Sequence, residues 1–135
     1  MGTHKDLDVW KLSVELATEA IRVTTEFPKQ ISFTLGSQMQ RAAVSVASNI
    51  AEGAARNSIK EYIRFLYISL GSLSELETQI IIAERLGYME NSDIIENIEI
   101  IRRKHLNFIK YMKSKTAYAP YCFCVYLFTE EIYEI

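Results

Sequence analysis

A stretch near the middle of the chain almost lacks charge, and this constrains the fold most. The stretch runs from Gln38 to Ala55, reads QMQRAAVSVASNIAEGAA, and has only two charged side chains, Arg41 and Glu52. Its apolar and small residues recur at helical spacing, and the opposite face is also small or apolar. A surface helix normally keeps one charged face, so this helix should be covered on more than one side. We therefore predict a central helix that is packed by its own chain and by a second copy.

The length and charge of the chain set broad limits. Its 135 residues match one domain, which can bury a core without metal or disulfides. The 15 basic and 17 acidic residues give a formal net charge of -2, so a nucleic-acid surface would have to be a local patch. Cys122 and Cys124 are too close in sequence for an ordinary structural disulfide, and two ligands do not make a zinc site. The N-terminus does not resemble a signal peptide, and no apolar run approaches the roughly 20 residues that span a bilayer, so we expect a soluble cytoplasmic protein.

The region between Pro28 and Pro120 reads as successive helices, which predicts an all-α, antiparallel up-down-up-down four-helix bundle over residues 1–115. The first helix should run from about Asp6 to Glu26 and end at Phe27-Pro28. Its predicted core stripe contains Leu7, Trp10, Val14, Ala17, Ile21 and Thr24. Ser32 or Thr34 is expected to cap the central helix.

The third and fourth helices have clear boundary signals. Ser58-x-x-Glu61 is a capping-box pattern that predicts a helix start, and Gly87 suits a C-cap. The third helix should bury Tyr62, Leu66, Ser69, Leu73, Leu76, Ile80 and Ala83. The fourth should run from about Ser92 or Asp93 to Lys113 and bury Ile94, Ile95, Ile98, Ile101, His105, Phe108, Ile109 and Met112.

The last residues, 116–135, differ in composition from the bundle. They are aromatic, β-prone and uncharged until Glu130. Because an exposed segment of this kind favours aggregation, we expect a tail that packs on the bundle or on a neighbouring subunit.

Candidate catalytic and metal-binding residues are few. Glu52, Glu75 and Glu77 could be carboxylate ligands in the bundle, but a di-iron site also needs Glu-x-x-His motifs, which this sequence lacks. These carboxylates are better explained as helix caps or as partners of Arg41, Arg56 or Arg64. Neither a metal nor another cofactor is predicted.

A nucleophile is also poorly supported. Ser45, Ser48 and Asn49 are not in a Gly-x-Ser-x-Gly elbow and have no histidine nearby in sequence. The glycines form no phosphate-binding loop or dinucleotide fingerprint. Small residues here allow close backbone approach, and Asn49 can fix the register between helices. We therefore expect a protein that is not an enzyme.

Two basic clusters are the stronger functional signal. One lies late in the chain and contains Arg102, Arg103, Lys104, Lys110, Lys113 and Lys115, with no acidic residue among them. The other, Arg56, Lys60 and Arg64, has helical i, i+4, i+8 spacing at the start of the third helix. Clustered cations bind phosphates by releasing counterions. The alternative is a solvated face whose cations complement the helix C-terminal dipole.

Several motifs in order resemble a known family. They are Leu7-x-Val9-Trp10, Phe27-Pro28, Gln38, Arg41-Ala42-Ala43-x-Ser45, Ser48-Asn49-Ile50-Ala51-Glu52-Gly53 and Gly71-Ser72-Leu73-x-Glu75-Leu76-Glu77. The chain resembles, from Leu7 to about Met112, the bacterial four-helix bundle family named for proteins encoded within intervening sequences of 23S ribosomal RNA genes. The tail after Thr116 lies outside the resemblance.

The resemblance implies an antiparallel four-helix bundle in a ring-like homo-oligomer, a pentamer. Relatives include the accessory protein of diversity-generating retroelements, whose basic surface binds nucleic acid and a reverse transcriptase. No catalytic activity is established for the family.

The residues and the resemblance together favour a non-enzymatic, RNA-associated nucleic-acid-binding accessory protein, and its partner could also be a nucleic-acid-processing protein. The predicted phosphate contacts are Arg56, Lys60, Arg64, Arg102, Arg103, Lys104 and Lys110. The central and third helices should provide the subunit contacts, with structural or oligomer roles for Arg41, Ser45, Asn49, Glu52, Gly53, Gly71 and Glu75. The alternative is a protein-interaction scaffold ring whose cations only aid solubility.

Overall fold

The computed structural model describes residues 2–90 and 92–117, which fold into an all-α bundle as predicted. Its four long helices are α1 (Asp8–Thr25), α2 (Ser37–Ala54), α3 (Ile59–Arg85) and α4 (Ser92–Ala117). Helix α4 continues beyond its predicted end at Lys113. The rest of the predicted tail, including Cys122 and Cys124, lies outside the described residues.

Helix α1 buries only part of the predicted stripe: Ala17 and Thr24 are buried, and Leu7 and Trp10 are partly buried against the core. Val14 and Ile21, which we expected in the core, are 37% and 39% exposed. Ser13 is buried although it was not predicted in the core, because its hydroxyl donates to the Val9 carbonyl one turn earlier at 2.6 Å. The hydroxyl of the predicted Thr24 donates in the same way to the Ala20 carbonyl at 2.9 Å. The buried face consists of Val9, Ser13, Leu16, Ala17, Ala20 and Thr24.

The predicted assignment of Ser32 or Thr34 as the cap of the central helix is wrong. Both residues lie inside a π-helical segment, Ser32–Gly36, which joins a short α-helical turn to α2. This helical stretch begins after Pro28, whose carbonyl accepts a 2.8 Å hydrogen bond from the Ser32 N–H. Proline suits the start of a helix because its fixed φ fits and its missing N–H would have no partner there.

Helix α2 packs between α1 and α3, which confirms that its own chain covers it on more than one side. Small side chains dominate its buried face: Met39, Ala42, Ala43, Val46, Ala47, Ile50 and Gly53. An exposed stripe remains along the helix and contains Gln38, Arg41, Val44, Ser48, Glu52 and Ala55. Cover of this stripe by a second copy stays a prediction.

The contact between α2 and α3 is close because several of its residues are small. A Cβ atom at Gly53 would lie 2.8 Å from the Phe65 Cβ and 2.8 Å from the Tyr62 Cδ2, closer than real Cβ contacts allow. Farther along, the Ser69 hydroxyl donates to the Val46 carbonyl at 2.7 Å. Gly53 therefore has a packing role within the chain.

The predicted boundaries and core of α3 and α4 are largely confirmed. Ser58 caps α3 by accepting a 3.3 Å hydrogen bond from the Glu61 N–H, and Gly87 after its end has φ of 80°. That left-handed conformation favours glycine. All of the predicted α3 stripe is buried apart from Tyr62, which is half-buried. In α4 the buried residues are Ile94, Ile98, Ile101, His105, Phe108, Ile109 and Met112.

Candidate nucleic-acid interface

The antiparallel pairing of α3 and α4 brings cations from distant parts of the sequence to one end of the bundle. The Tyr62 ring near the start of α3 meets the Phe108 ring near the end of α4, with centroids 5.6 Å apart. At the same end, the Nζ of Lys113 in α4 lies 5.0 Å from the centroid of the Tyr67 ring in α3. We call this region the basic end and define it by Arg56, Lys60, Arg64, Lys110, Lys113 and Lys115.

Three cations of the basic end lie over aromatic rings. The Arg56 guanidinium is 4.8 Å from the centroid of the Phe65 ring, and the Lys115 Nζ is 4.7 Å from that of Tyr111. Lys113 over Tyr67 is the third pair. Such contacts are worth about 0.5–1 kcal/mol at exposed sites, so they orient the cations without burying them.

Two acidic residues form solvent-exposed ion pairs with arginines of the basic end. Glu52 contacts Arg56 at 3.0 Å, which confirms one of the predicted pairings, and Glu61 lies 3.8 Å from Arg64. Exposed pairs of this kind contribute about 0–1 kcal/mol, so a phosphate can compete for the arginines. Lys60 is also exposed.

Arg102, which sequence reasoning placed among the phosphate contacts, forms a cluster that joins α3 to α4. Its guanidinium donates to Glu77, to Glu99 at 3.2 Å and to the Ser74 hydroxyl at 2.9 Å. The Arg102 side chain is only 22% exposed. The prediction that Glu77 pairs with an arginine of the central or third helix is therefore wrong, because the partner comes from α4.

The run from Arg102 to Lys104 spreads around α4 because successive helical residues are about 100° apart. Arg103 is exposed, whereas Lys104 faces α1 and places its Nζ 4.0 Å from the Asp8 Oδ2. These residues precede His105, whose Nε2 is 2.7 Å from the Leu66 carbonyl in the core. The structure therefore does not bring the run together into one patch.

The residues predicted to have structural or oligomer roles fall into two groups. Ser45 and Asn49 act within the chain, since the Asn49 Nδ2 donates to the Ser45 hydroxyl at 2.9 Å and Ser45 lies 2.8 Å from the Ser72 hydroxyl. Glu75 is exposed and accepts a 3.2 Å hydrogen bond from the Gln79 side chain. The exposed group comprises Arg41, Glu52, Gly71 and Glu75.

Sequence reasoning missed a cleft of about 560 Å³ at the basic end. We call it the aromatic cleft, because Tyr62, Phe108 and Tyr111 line it together with His4 and Lys115. Burial raises the pKa of Tyr62 to about 12. The only sequence signal was the recurrence of aromatic residues near the end of α4, and it could not reveal that α3 and the N-terminus complete the cleft.

A second, smaller depression of about 290 Å³ shares Tyr62 with the aromatic cleft. It is lined by Arg56, Asn57, Ser58, Ile59 and Tyr62. The turn between α2 and α3 therefore continues the surface of the cleft and adds a guanidinium to it.

Two other features of the described residues bear on the kind of site. Within 2–90 and 92–117, His, Cys, Asp and Glu side chains form no group of three that could hold a metal ion. Over the same residues, none of the helices has the length and apolar character to cross a membrane.

Comparisons with known proteins identify the fold and the family of this chain. The crystal structure of a protein of unknown function from the S23 ribosomal protein family of Bacteroides thetaiotaomicron VPI-5482 is 24% identical and has a TM-score of 0.58. The alignment covers 78% of this chain and 95% of that chain, so the two share a fold. No curated protein matches the sequence. The family model described as 23S rRNA-intervening sequence protein matches residues 5–107, and the chain therefore belongs to that family.

Proposed function

We propose that this protein is a non-enzymatic, RNA-associated accessory protein that binds nucleic acid through its basic end. The observation that carries the proposal is that the start of α3 and the end of α4, each with several cations, lie side by side at one end of the bundle. The names of the family and of the structural relative refer to ribosomal RNA and to a ribosomal protein, and both agree with an RNA-associated role.

Phosphate contacts would dominate the binding. The chain as a whole has a formal net charge of -2, so attraction to an anion must come from a local concentration of charge. Lys60, Arg64 and Lys113 are exposed at this surface and can each replace a counterion on a phosphate. Arg102 is left out of the contact set because it is held by Glu77 and Glu99.

The proposal is tested by the salt dependence of binding. Affinity for a labelled structured RNA and for duplex DNA is measured across a salt series for the protein and for the triple variant Lys60→Ala, Arg64→Ala, Lys113→Ala. The log-log slope should fall by about 2–3, with an affinity loss on the order of 100-fold near 0.1 M salt.

The control removes the same charge from the opposite end of the bundle, with Arg22→Ala, Lys29→Ala and Arg85→Ala. These three residues are also exposed, and the control should bind as the parent protein does. Equal losses in both variants would mean that only total charge matters. Failure of the parent protein to bind at low salt would refute the function.

We further propose that copies of the chain assemble through the exposed faces of α2 and α3 into a ring, a pentamer. Val44 and Ile68 are 45% and 42% exposed there, and a Cβ atom at Gly71 would meet nothing within 4 Å. An apolar surface with an open glycine suits close approach of another helix. A ring would repeat the basic end once in every subunit.

Assembly is tested by light scattering on the protein and on Gly71→Arg. The parent protein should have five times the mass of one chain. The variant should be smaller, because an added Cβ meets nothing within the single chain and the long arginine side chain would block a partner; Gly71→Ala is the matched control. A parent protein with the mass of one chain would refute the assembly. Assembly without nucleic-acid binding would favour the scaffold function instead.

A further inference from the structure

We propose that the aromatic cleft is a pocket for an unpaired nucleobase, which makes single-stranded segments the preferred ligand of the basic end. This inference rests on the proposed function. The cleft has about the size of a small-ligand site, and cations stand beside it.

The aromatic side chains supply surfaces for stacking. The Phe108 ring lies edge-on to Tyr62 and nearly parallel to Tyr111, with an interplanar angle of 21° and centroids 6.4 Å apart. Phe108 is 6% exposed, whereas Tyr62 and Tyr111 are half-buried. The tyrosine rings can therefore meet a base, and stacking is available to every base because each has a π-face.

The Tyr62 hydroxyl supplies a polar group for the edge of a base. It has no hydrogen-bond partner among the described residues, although Tyr62 lines the cleft. Its pKa of about 12 keeps the hydroxyl protonated at neutral pH. A neutral hydroxyl can both donate and accept a hydrogen bond, which suits a base edge and leaves charge recognition to the cations.

Cations are placed on two sides of the cleft, where the phosphates flanking an inserted base would lie. Lys115 lies over the Tyr111 ring at one side. Arg56 lines the adjoining depression that shares Tyr62. A mixed surface of aromatic rings and basic side chains is typical of proteins that bind single strands.

A concave pocket discriminates against duplexes because paired bases are stacked inside the helix. An unpaired base can leave the strand and stack on protein side chains, whereas a paired base must first be extruded at a cost of a few kcal/mol. The cleft residues Phe108, Tyr111 and Lys115 lie after residue 107, where the family match ends. Family membership therefore does not supply this inference.

The experiment compares a single-stranded RNA with an abasic strand of equal length and phosphate number. The full-length protein should bind the strand with bases about 5- to 150-fold more tightly, as expected for one stacked base. Trp10 is the single tryptophan, and its ring contacts that of His4 at the edge of the cleft, with centroids 5.1 Å apart. Its fluorescence should therefore change with the natural strand and not with the abasic one.

Two variants separate stacking from structure. Tyr111→Leu should abolish the preference for the strand with bases over the abasic strand, whereas Tyr111→Phe should keep the preference. Equal affinity of the parent protein for both strands would overturn the inference. The proposed function would still stand, since it fails only if the abasic strand also does not bind.

A third arm uses a single nucleotide. Binding of the free nucleotide as tightly as the strand would overturn the assignment to strand segments, because the flanking phosphates would then contribute nothing.

Discussion

Two regions of α4 contain cations, yet the side chains have different environments. In the middle of the helix, Arg102 is held between Glu77 and Glu99 and is only 22% exposed. At the basic end, Lys113 and Lys115 rest on aromatic rings with their ammonium groups exposed. The neighbouring side chains therefore decide whether a cation stabilises the bundle or is available to a ligand.

The two regions also differ in the placement of hydroxyl groups. In the middle of the bundle the buried Ser69 hydroxyl donates to the Val46 carbonyl, although the buried Gln79 Oε1 and His105 Nδ1 have no partner among the described residues. At the basic end the Tyr62 hydroxyl has no partner among the described residues and borders an open cleft. The middle of the bundle therefore mainly stabilises the fold, whereas the basic end has the properties of a binding surface.

The strongest test of this comparison replaces Arg102 by methionine. Glu77 would lose its partner across the helix contact, and we expect a loss of about 1–3 kcal/mol in the free energy of unfolding, between the values for exposed and buried pairs. Urea denaturation measures the loss, and RNA affinity should change little. Arg103→Met is the matched control on the exposed side of α4. A large loss of affinity with unchanged stability would assign Arg102 to the binding surface instead.

A smaller loss is expected for Gly53→Ala, which disturbs the contact under the basic end. The new Cβ would lie 2.8 Å from Tyr62 and Phe65. Overpacking costs about 1–3 kcal/mol, which exceeds the roughly 0.5–1 kcal/mol that alanine gains over glycine in a helix. Thermal or urea denaturation should therefore show a net loss of stability. A more stable variant would show that α3 can shift without cost.

The buried His105 should make the middle of the bundle sensitive to acid. Burial lowers its pKa, its Nε2 is 2.7 Å from the Leu66 carbonyl, and its Nδ1 has no partner among the described residues. The ordinary pKa of histidine is about 6.5, so as pH falls through this value His105 binds a proton more readily in the unfolded chain than in the folded chain. The free energy of unfolding should therefore fall.

This pH effect is measured as the change in urea midpoint between pH 7.5 and pH 5.5. His105→Leu should show a smaller change than the parent protein, because the leucine does not titrate. An equal loss of stability at pH 5.5 in the parent protein and in His105→Leu would assign the effect to titratable groups other than His105.

The smallest effect is a gain of stability. Gly71→Ala adds a methyl group where nothing lies within 4 Å, and alanine favours the helix by about 0.5–1 kcal/mol. Denaturation below the concentration at which copies associate should show this gain in the single chain. A loss of stability there would mean that the surface of α3 at Gly71 is not open.

Much of the bundle could be predicted from local patterns. The Ser58 cap, the Gly87 turn and the core stripes of α3 and α4 are encoded by residue types at fixed spacing, and the structure confirms them. The buried face of α1 was predicted only in part. Ala17 and Thr24 are buried as predicted, whereas Val14 and Ile21 are exposed and the polar Ser13 is buried through a hydrogen bond to its own helix.

The candidate site also has features that the sequence predicted and features that it did not. The sequence identified the two groups of cations, but it treated Arg102 and Arg103 alike, because linear spacing does not reveal which side of α4 meets α3. The aromatic cleft was missed since Tyr62 and Tyr111 are far apart in the chain and only the antiparallel pairing brings them together.

The sequence by itself determined that four helices form, where most of them begin and end, and that the chain belongs to its family, since these depend on local propensity and ordered motifs. The tertiary structure alone decided which cations pair with carboxylates, which glycine is crowded and which is open, and where a cleft remains. Those properties depend on side chains from different helices meeting in space, and a one-dimensional pattern does not specify that meeting.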